Sequence, residues 1–76
     1  MRIYLGGHLN FYHPQRGYWL DVDLEQPRPL RDVLEDSGIA LGEVYLVVIN
    51  GKIIDLQEAV ISEQDNVKLF SAVGGG

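Results

Sequence analysis

Three glycines, Gly74-Gly75-Gly76, close this chain directly after Val73 and an apolar run that ends at Phe70. Glycine carries no Cβ, so consecutive glycines can thread a slot too narrow for any other residue. At a free end they hold little fixed structure. This points to the C-terminal carboxylate of Gly76 as the reacting group, with Gly74 and Gly75 as the slim stem that delivers it. The same residues also fit a frayed end or a cloning remnant.

The other candidates for chemistry are weaker. His8 and His13 flank one loop, but no further ligands follow at metal-binding spacing, so no metal site is expected. Asp21 and Asp23 share a strand face, a pairing capable of acid–base work. No pocket motif accompanies them, and they read as an exposed edge that deters aggregation. Asp32, Glu35 and Asp36 form the solvated side of a helix. Gly6-Gly7 is too short to be a phosphate-binding loop.

Composition narrows the field further. The chain has 76 residues, 46% of them apolar and 22% charged, which suits one small globular domain. It contains no cysteine, which excludes a disulfide, a zinc–thiolate or iron–sulfur site and a thiol nucleophile. A formal net charge of −5 argues against nucleic acid, whose phosphates need Lys and Arg, and suits a basic protein partner. No apolar run approaches a membrane span, and Met1-Arg2-Ile3 opens no signal peptide pattern, so a cytoplasmic protein without a membrane partner is expected.

The elements that must position the tail follow from periodicity. Met1, Ile3 and Leu5 alternate with Arg2, Tyr4 and Gly6, the period of a half-buried strand. Residues Asn10 to Gly17 break the pattern with turn chemistry at Pro14 and Gly17. Tyr18 to Leu24 resumes it, with Leu20, Val22 and Leu24 on one face and Trp19, Asp21 and Asp23 on the other. Pro29 suits a first helical position, and Leu30, Val33 and Leu34 form an apolar stripe. Gly38 and Ile39 suit a C-terminal cap. Glu43 to Ile49 reads as a strand, Asn50-Gly51 as a hairpin turn and Lys52-Ile53-Ile54 as its return. Leu56 to Ile61 has room for a helical turn. Gln64-Asp65-Asn66 is a polar turn, and Val67 to Phe70 is the last strand.

The order β-β-α-β-β-β packs most simply as one helix across a mixed sheet, with the first and last strands parallel at its centre. That is an α+β architecture, the β-grasp or ubiquitin-like fold. The expected division is a domain over 1–72 and a flexible glycine tail over 73–76.

Three runs then carry a resemblance: Leu46-Val47-Val48-Ile49-Asn50-Gly51-Lys52, Asp65-Asn66-Val67-Lys68-Leu69-Phe70 and Val73-Gly74-Gly75-Gly76, together with the helix Arg31 to Ile39. Over essentially its whole length the chain resembles the sulfur-carrier family. That family includes the small subunit of molybdopterin synthase and the carrier of thiamin thiazole formation. Molybdopterin-type carriers commonly approach their glycines through Phe-Pro-Pro-Val, where this chain has Phe70-Ser71-Ala72-Val73. Its first loop is longer than that of thiamin-type carriers, which tilts the expected pathway slightly toward the molybdopterin side. The missing prolines pull back, and thiamin thiazole formation and other sulfur transfers stay open.

The resemblance implies a carrier rather than an enzyme. An E1-like adenylating enzyme activates the Gly76 carboxylate with ATP and Mg²⁺ of its own. A desulfurase- or rhodanese-type donor then makes a thiocarboxylate, and a synthase subunit accepts the sulfur. The chain itself would bind no cofactor. The residues meet these demands: a carboxylate is a poor electrophile until one oxygen can leave, and no nucleotide loop is present to make it so. Four residues beyond a strand ending near Ala72 reach about 14 Å, enough to enter a partner's pocket.

Strand parity supplies a docking surface. It buries Tyr45, Val47 and Ile49 and turns Val44, Leu46 and Val48 outward, with Lys68 and Phe70 facing out on the last strand. Tyr4, Leu46, Val48 and Phe70 then form an apolar patch continuous with Val73, and such patches commonly mark partner sites. Two other functions suit the same tail and fold: a protein modifier conjugated through Gly76, and a β-grasp interaction module with an incidental tail.

Overall fold

A computed structural model of the chain describes residues 1–12 and 17–72. His13 and the expected tail, residues 73–76, lie outside the described residues. Strand β1 (Arg2–Gly6) buries Ile3 and Leu5 completely, as the alternation requires. Strand β2 (Trp19–Asp21) pairs antiparallel to it, with Ile3 opposite Leu20 and Tyr4 opposite Trp19. The expected strand over Tyr18 to Leu24 is thus shorter. Single backbone bonds extend its pairing at either end, from Leu5 N–H to the Tyr18 carbonyl and from Val22 N–H to the Met1 carbonyl. Between β1 and β2, a 3₁₀ turn over Leu9–Tyr12 buries Leu9 completely.

Arg28–Pro29 forms a two-residue strand, β3, and helix α1 spans Leu30–Asp36. Pro29 therefore precedes the helix instead of opening it, at φ −57° and ψ 133°. The residue is tied into a small sheet with β6 (Val60–Ile61), where an extended ψ is required. No side chain caps this end, and the Leu30 N–H donates instead to the Ala59 carbonyl (2.9 Å). The other end closes as the glycine anticipates. Gly38 has φ +81°, its N–H donates to the Glu35 carbonyl, and the Ile39 N–H donates to that of Leu34. Ile39 folds back into the core with Leu30, Val33 and Leu34.

Strand β4 (Val44–Ile49) turns through Asn50 (φ +53°) and Gly51 (φ +82°) into β5 (Lys52–Ile53). Two successive positive φ values are what an Asn-Gly hairpin provides. Asn50 is fastened further, its amide donating to Asp65 (3.0 Å) and its carbonyl oxygen accepting from the Asn66 N–H (2.9 Å). The helical turn considered for Leu56 to Ile61 is a tight turn over Asp55 to Glu58 followed by β6, which buries Ile61. Strand β7 (Val67–Ser71) completes a five-stranded sheet in the order β2-β1-β7-β4-β5. It runs parallel to β1 and antiparallel to β4. The small β3–β6 sheet aside, the element order is the expected β-β-α-β-β-β.

One expectation fails on β4. Val44 pairs with Ser71 and Leu46 with Phe70, so Tyr45 is an extra residue with no partner, a β-bulge. The bulge reverses the side-chain parity on its N-terminal side. Tyr45, expected inside, is 75% exposed, while Val44, expected outside, packs on the core.

Candidate functional site

The site builds outward from β7, the strand that leads to the tail. Val67 and Leu69 are buried under the helix layer, which turns Lys68 and Phe70 to the open face. The register then places their neighbours. Tyr4 lies opposite Lys68 on β1, and Leu46 and Val48 lie opposite Phe70 and Lys68 on β4. All four apolar residues of the expected patch share this face, and each is half-buried. The Tyr4 and Phe70 rings meet edge-on at 6.1 Å. Val73, Gly74, Gly75 and Gly76, the remainder of the expected site, lie outside the described residues.

Three features of this face were not part of the expected patch. Trp19, whose role the sequence leaves open, stands on it with its ring edge-on to Tyr4 at 5.3 Å, 48% exposed. Parity with buried Leu20 is the signal that places it. Ile53 pairs with Val48 and adds a largely exposed aliphatic group at the far edge. Lys68 interrupts the patch at its middle, between Tyr4 and Val48. Arg2, on the same side, holds Asp21 (Nε to Oδ1, 3.2 Å) and lies 5.8 Å from the Trp19 ring centroid. That ion pair is exposed and contributes little to stability.

Gly6 and Gly7 pack against the last residues of β7. A Cβ on Gly6 would stand 2.6 Å from Cδ1 of Phe70, so the phenyl ring can lie across β1 only because the side chain there is a hydrogen. Gly7 turns at φ +63°, and a Cβ on it would collide with the Ser71 hydroxyl. The turn aims the His8 N–H at Ser71 Oγ (2.9 Å). Ser71, the last residue of β7 and buried, therefore uses its hydroxyl to accept from the turn that follows β1. No periodicity argument finds this contact, because it joins residues 63 positions apart.

The carboxylate pair weighed in the sequence does not assemble a site. Asp21 faces Arg2, while Asp23 lies exposed beyond β2. His8 packs edge-on to Phe11 at 5.8 Å. Among the described residues no three His, Asp or Glu side chains converge as a metal site, and no helix is long and apolar enough to cross a membrane.

A mixed sheet with one helix across it, its first and last strands parallel side by side, defines the ubiquitin-like β-grasp class, here with an apolar open face beside the exit of the last strand. Residues 15–76 match the ThiS family, and the chain belongs to that family of ubiquitin-like sulfur carriers. It is similar to the sulfur carrier protein TtuB of Thermus thermophilus, with 34% identity over 56 residues, covering 74% of this chain and 83% of that protein. No solved structure matches the chain at a significant level. Sulfur carriers of the ThiS type are not themselves enzymes.

Proposed function

We propose that this protein carries sulfur on its C-terminal glycine for cofactor biosynthesis. The carboxylate of Gly76 attacks the α-phosphorus of ATP in the site of an E1-like enzyme, which supplies the Mg²⁺, and pyrophosphate leaves. The terminal sulfur of a persulfide on a desulfurase- or rhodanese-type donor then adds to the acyl carbon, and AMP leaves. A second thiol of the donor system attacks the donor's sulfur in the resulting acyl disulfide, which frees the carrier and leaves a disulfide on the donor side. The carrier is released as a thiocarboxylate. A synthase subunit takes the sulfur, and the long connection between β1 and β2 favours a molybdopterin-type acceptor over a thiazole-forming one.

The observation that carries the reading is the course of β7. A central strand buried along one side presents Phe70 on the other, then leaves the sheet at a latched residue shortly before Gly74-Gly75-Gly76. Tyr4, Leu46, Val48 and Phe70 serve as the grip for partners, and Val73, Gly74 and Gly75 as the stem that reaches the partner's active site.

Co-expression with an adenylating enzyme and a sulfur donor, followed by intact and fragment mass spectrometry, tests this. Exchange of one oxygen for sulfur, confined to the last residue, is expected. Full sulfur transfer by a chain extended beyond Gly76 would overturn the reading. Transfer to a pterin precursor by one synthase subunit, and none to a thiazole precursor, is expected for the molybdopterin assignment, and the reverse refutes it.

A further inference from the structure

We infer that Lys68 is the specificity contact of the open face, selecting partners that place a carboxylate there with an apolar side chain toward Tyr4, Trp19 and Phe70 and a polar one toward Asn50 and Asn66. This rests on the sulfur-carrier reading and deepens it by naming the chemistry of the partner surface. Lys68 is the side chain shared by two depressions on this face. One, of about 260 Å³, is completed by Tyr4, Trp19 and Phe70. The other, of about 230 Å³, is completed by Val48, Asn50, Gly51 and Asn66.

Among the described residues the ammonium of Lys68 has neither an ion pair nor a hydrogen bond. The other cation on this face, Arg2, is already held by Asp21. An unpaired positive charge thus stands between an aromatic depression and a more polar one, on a chain whose net charge is −5.

A purely apolar partner covering this face would strip water from the ammonium and give nothing back, a penalty that burial of the surrounding rings does not offset. The partner must therefore bring an acceptor, and a carboxylate makes the strongest bond to an ammonium. A second copy of this chain docked about a twofold axis near Lys68 would bring the two ammoniums together. A polyanion such as RNA is opposed by the net charge of the chain as a whole. An acidic residue on a protein surface, flanked by an apolar residue on the Tyr4–Trp19–Phe70 side and a hydrogen-bonding one on the Asn50–Asn66 side, satisfies both depressions and the charge.

The test uses the full chain and the adenylating enzyme that activates it, read by ATP–pyrophosphate exchange. Lys68→Glu is expected to raise KM about tenfold or more while kcat stays within about twofold, and Lys68→Arg to stay near the wild type. The salt dependence of KM should flatten in Lys68→Glu. In parallel, a zero-length carbodiimide cross-link should join Lys68 to an Asp or Glu of the enzyme, and the chain has a single other lysine, Lys52, to confuse it. Cross-links through Lys52 alone, or an unchanged KM in Lys68→Glu, would overturn the inference while leaving the carrier reading intact. Absence of exchange with the wild-type chain would overturn both.

Discussion

Replacing Gly6 by alanine isolates one contact on which the open face depends. Gly6 lies within β1, and its φ is not positive, so alanine meets no backbone penalty there. The new methyl would sit 2.6 Å from Phe70 Cδ1, 2.8 Å from Cε1 and 3.0 Å from Tyr4 Cε2. Ordinary contact begins at 3.4 Å, so the Phe70 ring must retreat by roughly 0.8 Å or change rotamer. Overpacking of this kind costs about 1–3 kcal/mol. The smaller unfolded-state entropy of alanine returns about 0.4–1 kcal/mol. A net loss of about 0–2.6 kcal/mol follows, centred on about 1.3 kcal/mol, and that central value lowers Tm by roughly 5–10 °C in a domain of this size. Urea unfolding at 25 °C measures the loss, and near-ultraviolet circular dichroism reports the displaced rings. The decisive arm is a double-mutant cycle with Phe70→Leu, which withdraws the ring. In that background Gly6→Ala should be neutral or slightly stabilising. An equal loss in both backgrounds would refute the argument that the glycine exists to admit the ring.

Three further outcomes follow from other contacts. Asn50→Gly suits the left-handed backbone but loses the side-chain bonds to Asp65 and Asn66, whereas Asn50→Ala loses the same bonds and keeps a Cβ at φ +53° without the amide that lets Asn tolerate it. Hydrogen exchange of the Asn66 amide should accelerate in both, with Asn50→Ala the less stable by about 1 kcal/mol in chemical denaturation. Tyr45→Asp should change stability by under about 0.5 kcal/mol, because the bulge leaves that side chain in solvent. Glu63 accepts from the amino group of Met1 (2.9 Å), and that bond holds its carboxyl below the usual value of 4.5. Its stabilisation is present above that value and fades as pH falls through the lowered one. Glu63→Gln should flatten stability against pH on that acid limb alone, with no difference in slope near neutrality.

How much of this molecule is legible in its sequence depends on the range of the interaction involved. Alternation along β1 and β7 and the stripe on α1 are local periodicities. They place Ile3, Leu5, Val67, Leu69, Leu30, Val33 and Leu34 in the core correctly. The Asn-Gly turn and the Gly38 cap are equally readable, because both need a backbone conformation that few residues adopt. Parity fails at Tyr45, since a bulge inserts one residue without changing the composition of the strand. The bulge shows only in the pairing, where Ser71 takes Val44, Phe70 takes Leu46 and Tyr45 is left without a place in the ladder. The β3–β6 pair escapes because two residues carry no detectable period, and Pro29 satisfies a strand end as readily as a helix start.

The same distinction separates the two glycine runs. Gly74-Gly75-Gly76 announces itself by position, and its use as a stem is argued from chain chemistry. Gly6-Gly7 looks like an ordinary turn until the register is known. With the parallel register of β1 and β7 in place, Gly6 faces Phe70 and the Gly7 turn brings the His8 amide to Ser71. These contacts meet at the last rungs of β7, where the chain leaves the sheet. A carrier that delivers its terminus into another protein's site needs its slender segment to start from a fixed point, because mobility upstream of the stem would widen the volume the terminus searches. Ser71→Ala tests this directly. The hydroxyl is lost, the His8 N–H is left without its acceptor in a partly buried position, and stability should fall by about 1–3 kcal/mol. If the latch fixes the exit, thiocarboxylate formation should show a raised KM with this variant at temperatures where it remains folded. A stability loss with unchanged kinetics would confine Ser71 to the fold and remove it from the delivery of Gly76.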